Sequence, residues 1–94
     1  MIFHVEITSS AEKELKALET QIADRISRKL LELEDNPTHP QSKRLTPYKF
    51  YRVRVGDYRI IYYIDYTKKE IRILKIGHRK DVYKRGNLLG KRGK

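Results

Sequence analysis

Tyr51-Arg52-Val53-Arg54-Val55-Gly56-Asp57-Tyr58-Arg59-Ile60-Ile61-Tyr62 is the stretch whose reading decides the fold. β-Branched and aromatic residues dominate it, and Gly56-Asp57 breaks it into two strands of a hairpin. Glycine at the first turn position suits a type II′ turn, which needs positive φ there. Side chains alternate along a strand, so Tyr51, Val53 and Val55 share one face and Arg52 and Arg54 the other. Arg59 has the parity of Ile61 and Tyr63. One side of this hairpin is built for a core, with Tyr51 and Tyr62 expected inside, and the other for an anion.

Downstream, Asp65–Lys69 makes a second tight turn, so strands over 48–55, 58–65 and 70–76 form an antiparallel meander. Residues 79–85 read as a short terminal helix or turn. Asn87–Lys94, with two glycines and three cations, is expected to be a flexible basic tail. Upstream, residues 2–7 alternate as a first strand, with Phe3, Val5 and Ile7 on the core side. Ser9 and Glu12 fit a capping box opening a helix of about ten residues, striped by Ala11, Leu15 and Leu18. Thr20 reads as the cap of a second helix, to about Glu34, striped by Ile22, Ile26, Leu30 and Leu33. Arg25, Arg28, Lys29 and Glu32 lie off that stripe and are expected in solvent. With almost no linker, the two helices form a hairpin across the sheet. Residues 35–47 hold all three prolines and form the longest loop. The expected class is α+β: an N-terminal strand, an α-helical hairpin, then a three-stranded antiparallel meander completing a four-stranded sheet, and a short C-terminal helix. It is one domain over 1–86, with the tail at 87–94.

The formal charge of +10 is unevenly placed: residues 1–42 hold 5 Lys/Arg against 8 Asp/Glu, and residues 43–94 hold 17 against 4. A cationic half implies a polyanionic partner. A membrane surface fits poorly, because the basic half reads as strands and not as an amphipathic helix. With no cysteine, neither disulfides nor thiolate metal sites are available. No apolar run is long enough to span a bilayer, and the N-terminus lacks the pattern of a signal peptide, so a cytoplasmic protein is expected.

HExxH, P-loop and GxGxxG motifs are absent, and His4, His39 and His78 are scattered. No metal and no cofactor is expected. Arginines and tyrosines suit phosphodiester chemistry: a guanidinium grips phosphate bidentately, and tyrosine stacks on a base or moves a proton. RNA brings its own nucleophile, the 2′-hydroxyl. Arg52, Arg54, Arg59, His78, Arg79 and Tyr83 are the candidates. Each also has a plainer reading: a solvated outer face for Arg52 and Arg54, a strand-edge cation for Arg59, an ion pair with Asp81 for Arg79, packing on the sheet edge for Tyr83.

The segments Gly56-Asp57-Tyr58-Arg59-Ile60-Ile61-Tyr62 and Ile76-Gly77-His78-Arg79-Lys80-Asp81-Val82-Tyr83, set in this order of elements, resemble the RelE branch of the RelE/ParE toxin superfamily. The resemblance spans about residues 2–84. It implies the RelE-like microbial RNase fold and a type II toxin–antitoxin toxin. The implied activity is that of a ribosome-dependent mRNA endonuclease, cutting A-site codons without a metal and inhibiting translation. By position, Arg59 corresponds to the arginine on the scissile phosphate and Arg79 to the one stabilising the phosphate or leaving group. Tyr83 corresponds to the tyrosine that stacks on the base or moves a proton. Arg52 and Arg54 stand where the best-known member has lysines, and arginine cannot serve as a base. His78, because histidine is the side-chain type that changes charge closest to neutral pH, or Tyr83 is then the candidate base, unless electrostatic stabilisation carries most of the rate. Lys43, Arg44, Lys49, Lys75 and Lys80 are the further expected RNA contacts. Implied partners are an acidic RelB-like antitoxin, the ribosome with mRNA in its A site, and operator DNA through the antitoxin alone. The alternatives are a ParE-like toxin that poisons gyrase and cuts no RNA, and a non-toxic RNA- or protein-binding module.

Overall fold

The computed structural model describes residues 3–40, 42–45 and 50–80. The chain runs β1 (His4–Ile7), α1 (Ser9–Lys16), α2 (Thr20–Asp35), β2 (Ser42–Arg44), β3 (Phe50–Val55), β4 (Tyr58–Asp65) and β5 (Glu70–His78). The α+β class holds, but the sheet has five strands in the order β1-β5-β4-β3-β2. The fifth comes from inside the proline loop: Ser42, Lys43 and Arg44 pair with Val53, Arg52 and Tyr51. Three polar residues show no alternation, yet an edge strand tolerates them, since its outer side faces solvent and charge deters further pairing. Of the expected terminal helix or turn over 79–85, Arg79 and Lys80 are described and form a turn; the rest, and the tail at 87–94, lie outside the described residues.

The deciding hairpin forms as read. β3 and β4 pair from Phe50↔Tyr63 to Val55↔Tyr58. Gly56 has φ +60°, and no positive φ occurs at Asp57, which is the pattern of a type II′ turn. The second turn is closed by the Lys68 N–H donating to Asp65 Oδ1 at 3.0 Å. β1 joins β5 in parallel, His4↔Glu70 through Ile7↔Ile73, so the first strand docks against the last.

Helix starts differ by a residue from their expected caps. Thr8, not Ser9, caps α1, its Oγ1 accepting the Ala11 N–H at 3.2 Å. Thr20 is already helical; Glu19 precedes it as the cap residue and makes no side-chain cap bond. The α2 stripe is confirmed, with Ile26, Leu30 and Leu33 buried and Ile22 packed beside them. α1 lies on β5, and α2 crosses from β1 to β3. Under them, Val53, Ile60, Tyr62, Ile64, Ile71, Ile73 and Ile76 complete the core, each fully buried isoleucine contributing roughly 2 kcal/mol. Tyr51 and Tyr62 are both inside, their rings stacked 5.6 Å apart. The Tyr62 hydroxyl donates to Pro37 O at 2.6 Å and ties the proline loop to the sheet. Burial pushes the Tyr62 phenol up to about 12. Among the described residues, no helix is long and apolar enough to cross a membrane.

β5 carries a bulge. Ile61 pairs with Lys75 but Tyr62 with Ile73, leaving Leu74 as an extra residue. The extra residue lets Ile73 and Ile76, three apart, both enter the core. It also turns over the face of everything that follows in β5.

Candidate functional site

The cross-strand register assembles the site. Arg54 lies directly opposite Arg59 on β4, and Arg52 directly opposite Lys43 on β2. These four cations therefore share the sheet face turned away from the helices. Like charges opposed in a sheet cost roughly 0.2 to 1 kcal/mol per pair, so the array is poised to gain from an anion. Among the described residues no carboxylate lies within 4.0 Å of Arg52, Arg54 or Lys43.

The members are unequal. Arg54 and Lys43 are exposed and Arg52 is half-buried, its Nε enclosed without a hydrogen-bond partner. Arg59 is 7% exposed, and its Nη1 donates to Tyr58 O at 3.2 Å and Gly56 O at 3.4 Å. The turn thus holds a guanidinium in place as a fixed donor fork, well suited to phosphate. Ser42, Lys43, Arg52 and Arg54 line a depression of about 340 Å³ beside it. Arg79 joins through its backbone, the N–H donating to Asp57 O at 2.8 Å, which brings the end of β5 to the hairpin turn. Arg79 and Lys80 are exposed.

Other candidates go elsewhere. His78 pairs with Tyr58, and their rings meet edge-on at 5.4 Å. Tyr58 packs against the core, so His78 stands on the opposite face from Arg54 and Arg59. The Leu74 bulge is the cause: strict alternation from Ile71 and Ile73 would have put His78 with the arginines. His78 Nδ1 also accepts the Lys80 N–H at 3.1 Å, which occupies the lone pair a base would use. Lys75 is tied to α1, its Nζ 2.6 Å from Glu14 Oε2. Arg44 pairs with Tyr51 and so faces the core side, unlike Lys43. Tyr83 and Lys49 lie outside the described residues.

Glu14 went unnoticed in the sequence. Its Oε1 accepts the Ile76 N–H at 2.8 Å while Oε2 holds Lys75. β1 ends opposite Ile73, so among the described residues β5 is a bare edge beyond that point, and Glu14 covers it. Its only sequence signal was a place off the α1 stripe. Among the described residues no group of three His, Asp or Glu side chains is placed to hold a metal ion.

Comparison with known proteins bears on what this array serves. A family model described as the ParE toxin of the type II toxin–antitoxin system parDE matches residues 5–83. Among solved structures, the archaeal RelE–RelB complex of Pyrococcus horikoshii is 30% identical with a TM-score of 0.78, over 86% of this chain and 99% of that one. The toxin–antitoxin complex RelBE2 of Mycobacterium tuberculosis is 26% identical, TM-score 0.75, over 84% of this chain and 100% of that one. The isolated RelE toxin of E. coli shares the fold at 21% identity, TM-score 0.74, over 86% and 90%. None of the curated proteins matches the chain.

Proposed function

The chain belongs to the RelE/ParE superfamily of type II toxin–antitoxin toxins, and from that premise we propose that it is a ribosome-dependent mRNA endonuclease that cuts A-site codons. The observation that carries this reading is the cation array: Arg54 against Arg59 and Lys43 against Arg52, with Arg79 tethered at the same turn. In the reaction, the ribose 2′-oxygen bonds to phosphorus as the bond to the 5′-oxygen breaks. A 2′,3′-cyclic phosphate and a 5′-hydroxyl result; the 2′-hydroxyl loses its proton and the 5′-oxygen gains one. Arg59 holds the scissile phosphate, Arg52 and Arg54 its neighbours, and Arg79 the charge growing on the leaving oxygen. Tyr83 stacks on a base or moves a proton. Four arginines stay charged throughout, so electrostatic stabilisation carries most of the rate. That agrees with His78 facing the other way.

The neighbours from Pyrococcus and Mycobacterium are complexes with antitoxins, which supports an acidic, RelB-like antitoxin as the partner of this chain. Operator DNA would be bound by the antitoxin. Purified ribosomes programmed with mRNA, followed by primer extension, test the activity. Cuts within A-site codons, lost in Arg79→Ala, are the expected result; intact mRNA overturns it.

The family model that matches is the ParE one, and this favours a second reading: a toxin that poisons gyrase and leaves RNA whole. Double-strand breaks in a gyrase assay with intact ribosomal mRNA identify that case.

A further inference from the structure

α2 carries Arg25, Arg28 and Lys29, which lie outside the array just described. With Glu32, Arg54, Val55 and Gly56 they line a cleft of about 300 Å³ between the helix and the hairpin tip. Arg54 lines this cleft and also the depression of Ser42, Lys43 and Arg52, so the two adjoin at one residue. The sheet edge explains how. β2 stops opposite Val53, and among the described residues no strand pairs with that edge of β3 beyond this point, β4 lying on its other edge. Arg54 therefore stands at an open edge where the array side and the helix side meet.

The cleft holds four cations against one acid, and that acid is already engaged. Glu32 Oε1 lies 2.9 Å from Lys29 Nζ and 2.9 Å from His39 Nε2. Among the described residues no carboxylate lies within 4.0 Å of Arg25, Arg28 or Arg54. Arg25 is set over the turn: a Cβ at Gly56 would stand 3.2 Å from its Nη2 and 3.4 Å from its Nη1. The glycine leaves room for a guanidinium at the rim. Val55 is the one apolar side chain in the lining, so the cleft lacks the aromatic or aliphatic anchor pocket that a protein partner needs. Guanidinium forks without apolar anchors fit a sugar–phosphate backbone, gripped without regard to base.

We infer that Arg25 and Arg28, with Arg54 as the link, form a phosphate-binding subsite that carries the RNA backbone from the array round the sheet edge onto α2. The inference takes its ligand from the endonuclease reading and adds a path for RNA flanking the cut.

The test is anisotropy of the full chain with labelled single-stranded RNAs of about 4 and about 12 nucleotides, titrated across salt concentrations. Arg25 and Arg28 are exposed on a helix, so Arg25→Gln/Arg28→Gln is expected to fold, with circular dichroism as the check. Two lost contacts should lower the salt slope on the longer RNA by about 1.4 and weaken it roughly tenfold at moderate salt. The short RNA should bind as before, and Arg25→Lys/Arg28→Lys should restore the slope. An unchanged slope and affinity on the longer RNA overturns the subsite, as does a variant weakened only toward its acidic antitoxin. The expected slope change in the Gln variant, with ribosomal mRNA left intact by the wild-type chain, keeps the subsite and removes the nuclease. Absence of RNA binding by the wild-type chain overturns the subsite outright.

Discussion

Replacing Glu14 by alanine removes the side chain that, among the described residues, covers the bare end of β5. Two contacts are lost. The first is the bond from the Ile76 N–H to Oε1 at 2.8 Å, a backbone donor on a charged acceptor. Such bonds contribute about 1.5 to 3 kcal/mol. The second is the ion pair with Lys75 at 2.6 Å, with both side chains nearly 30% exposed (28% and 29%). Partial exposure limits that pair to under about 1 kcal/mol. Glu14→Ala is therefore expected to destabilise the fold by about 2 to 3 kcal/mol, which for a domain of this size lowers Tm by roughly 10 to 15 °C. Glu14→Gln keeps an acceptor for Ile76 but sets an amide against the ammonium, so it should lose only about 1 kcal/mol. Urea denaturation of both variants, in an Arg79→Ala background to avoid toxicity, measures this. A cycle with Lys75→Met isolates the ion pair. If Glu14→Ala loses less than about 0.5 kcal/mol, or Gln and Ala lose equally, the edge-covering argument is refuted.

Arg52→Met should abolish A-site cleavage yet leave the fold equal or more stable by up to about 1 kcal/mol, because it removes an enclosed unbonded Nε and the opposition to Lys43; paired activity and denaturation measurements check it. Gly56→Ala forces positive φ on a residue with a Cβ and crowds Arg25, so urea denaturation should show a loss of about 1 to 2 kcal/mol. Tyr62 ionises near 10 when unfolded and at about 12 when folded, so above pH 10 the native state holds the extra proton. Stability should fall between pH 10 and 12, by roughly 2 to 3 kcal/mol, and be intact below 10. Tyr62→Phe should flatten that fall in alkaline unfolding curves while losing about 1 kcal/mol at neutral pH with the Pro37 bond.

What could be read in advance followed local periodicity. Gly56-Asp57 announced its turn, and alternation placed Tyr51, Val53 and Val55 inward and Arg52 and Arg54 outward. The helix stripe from Ile22 to Leu33 held for the same reason. What escaped was set by contacts distant in sequence. Ser42–Arg44 are a strand only because Tyr51–Val53 offer an edge. Glu14 gained its role from Lys75 and Ile76, which lie far along the chain. His78 changed sides because of one extra residue at Leu74, and a bulge leaves no mark in an alternation that reads well on both sides of it. Arg25 and Arg28 look like ordinary solvated helix residues until the hairpin tip is set against them.

The parallel docking of β1 on β5 bears on how the toxin is made. β1 is the first strand to leave the ribosome and has its sheet partner in the last. Until β5 emerges, β1 has no ladder to join, and the apolar stripe of α2 has only the β3 end of the sheet to cover. Such long-range pairing is slow to form. The arginine pairs, which need β2, β3 and β4 together, are likewise absent from a half-made chain. The charge array therefore assembles only once β4 has been made, in the second half of the chain. An antitoxin synthesised alongside the toxin has that interval to be ready.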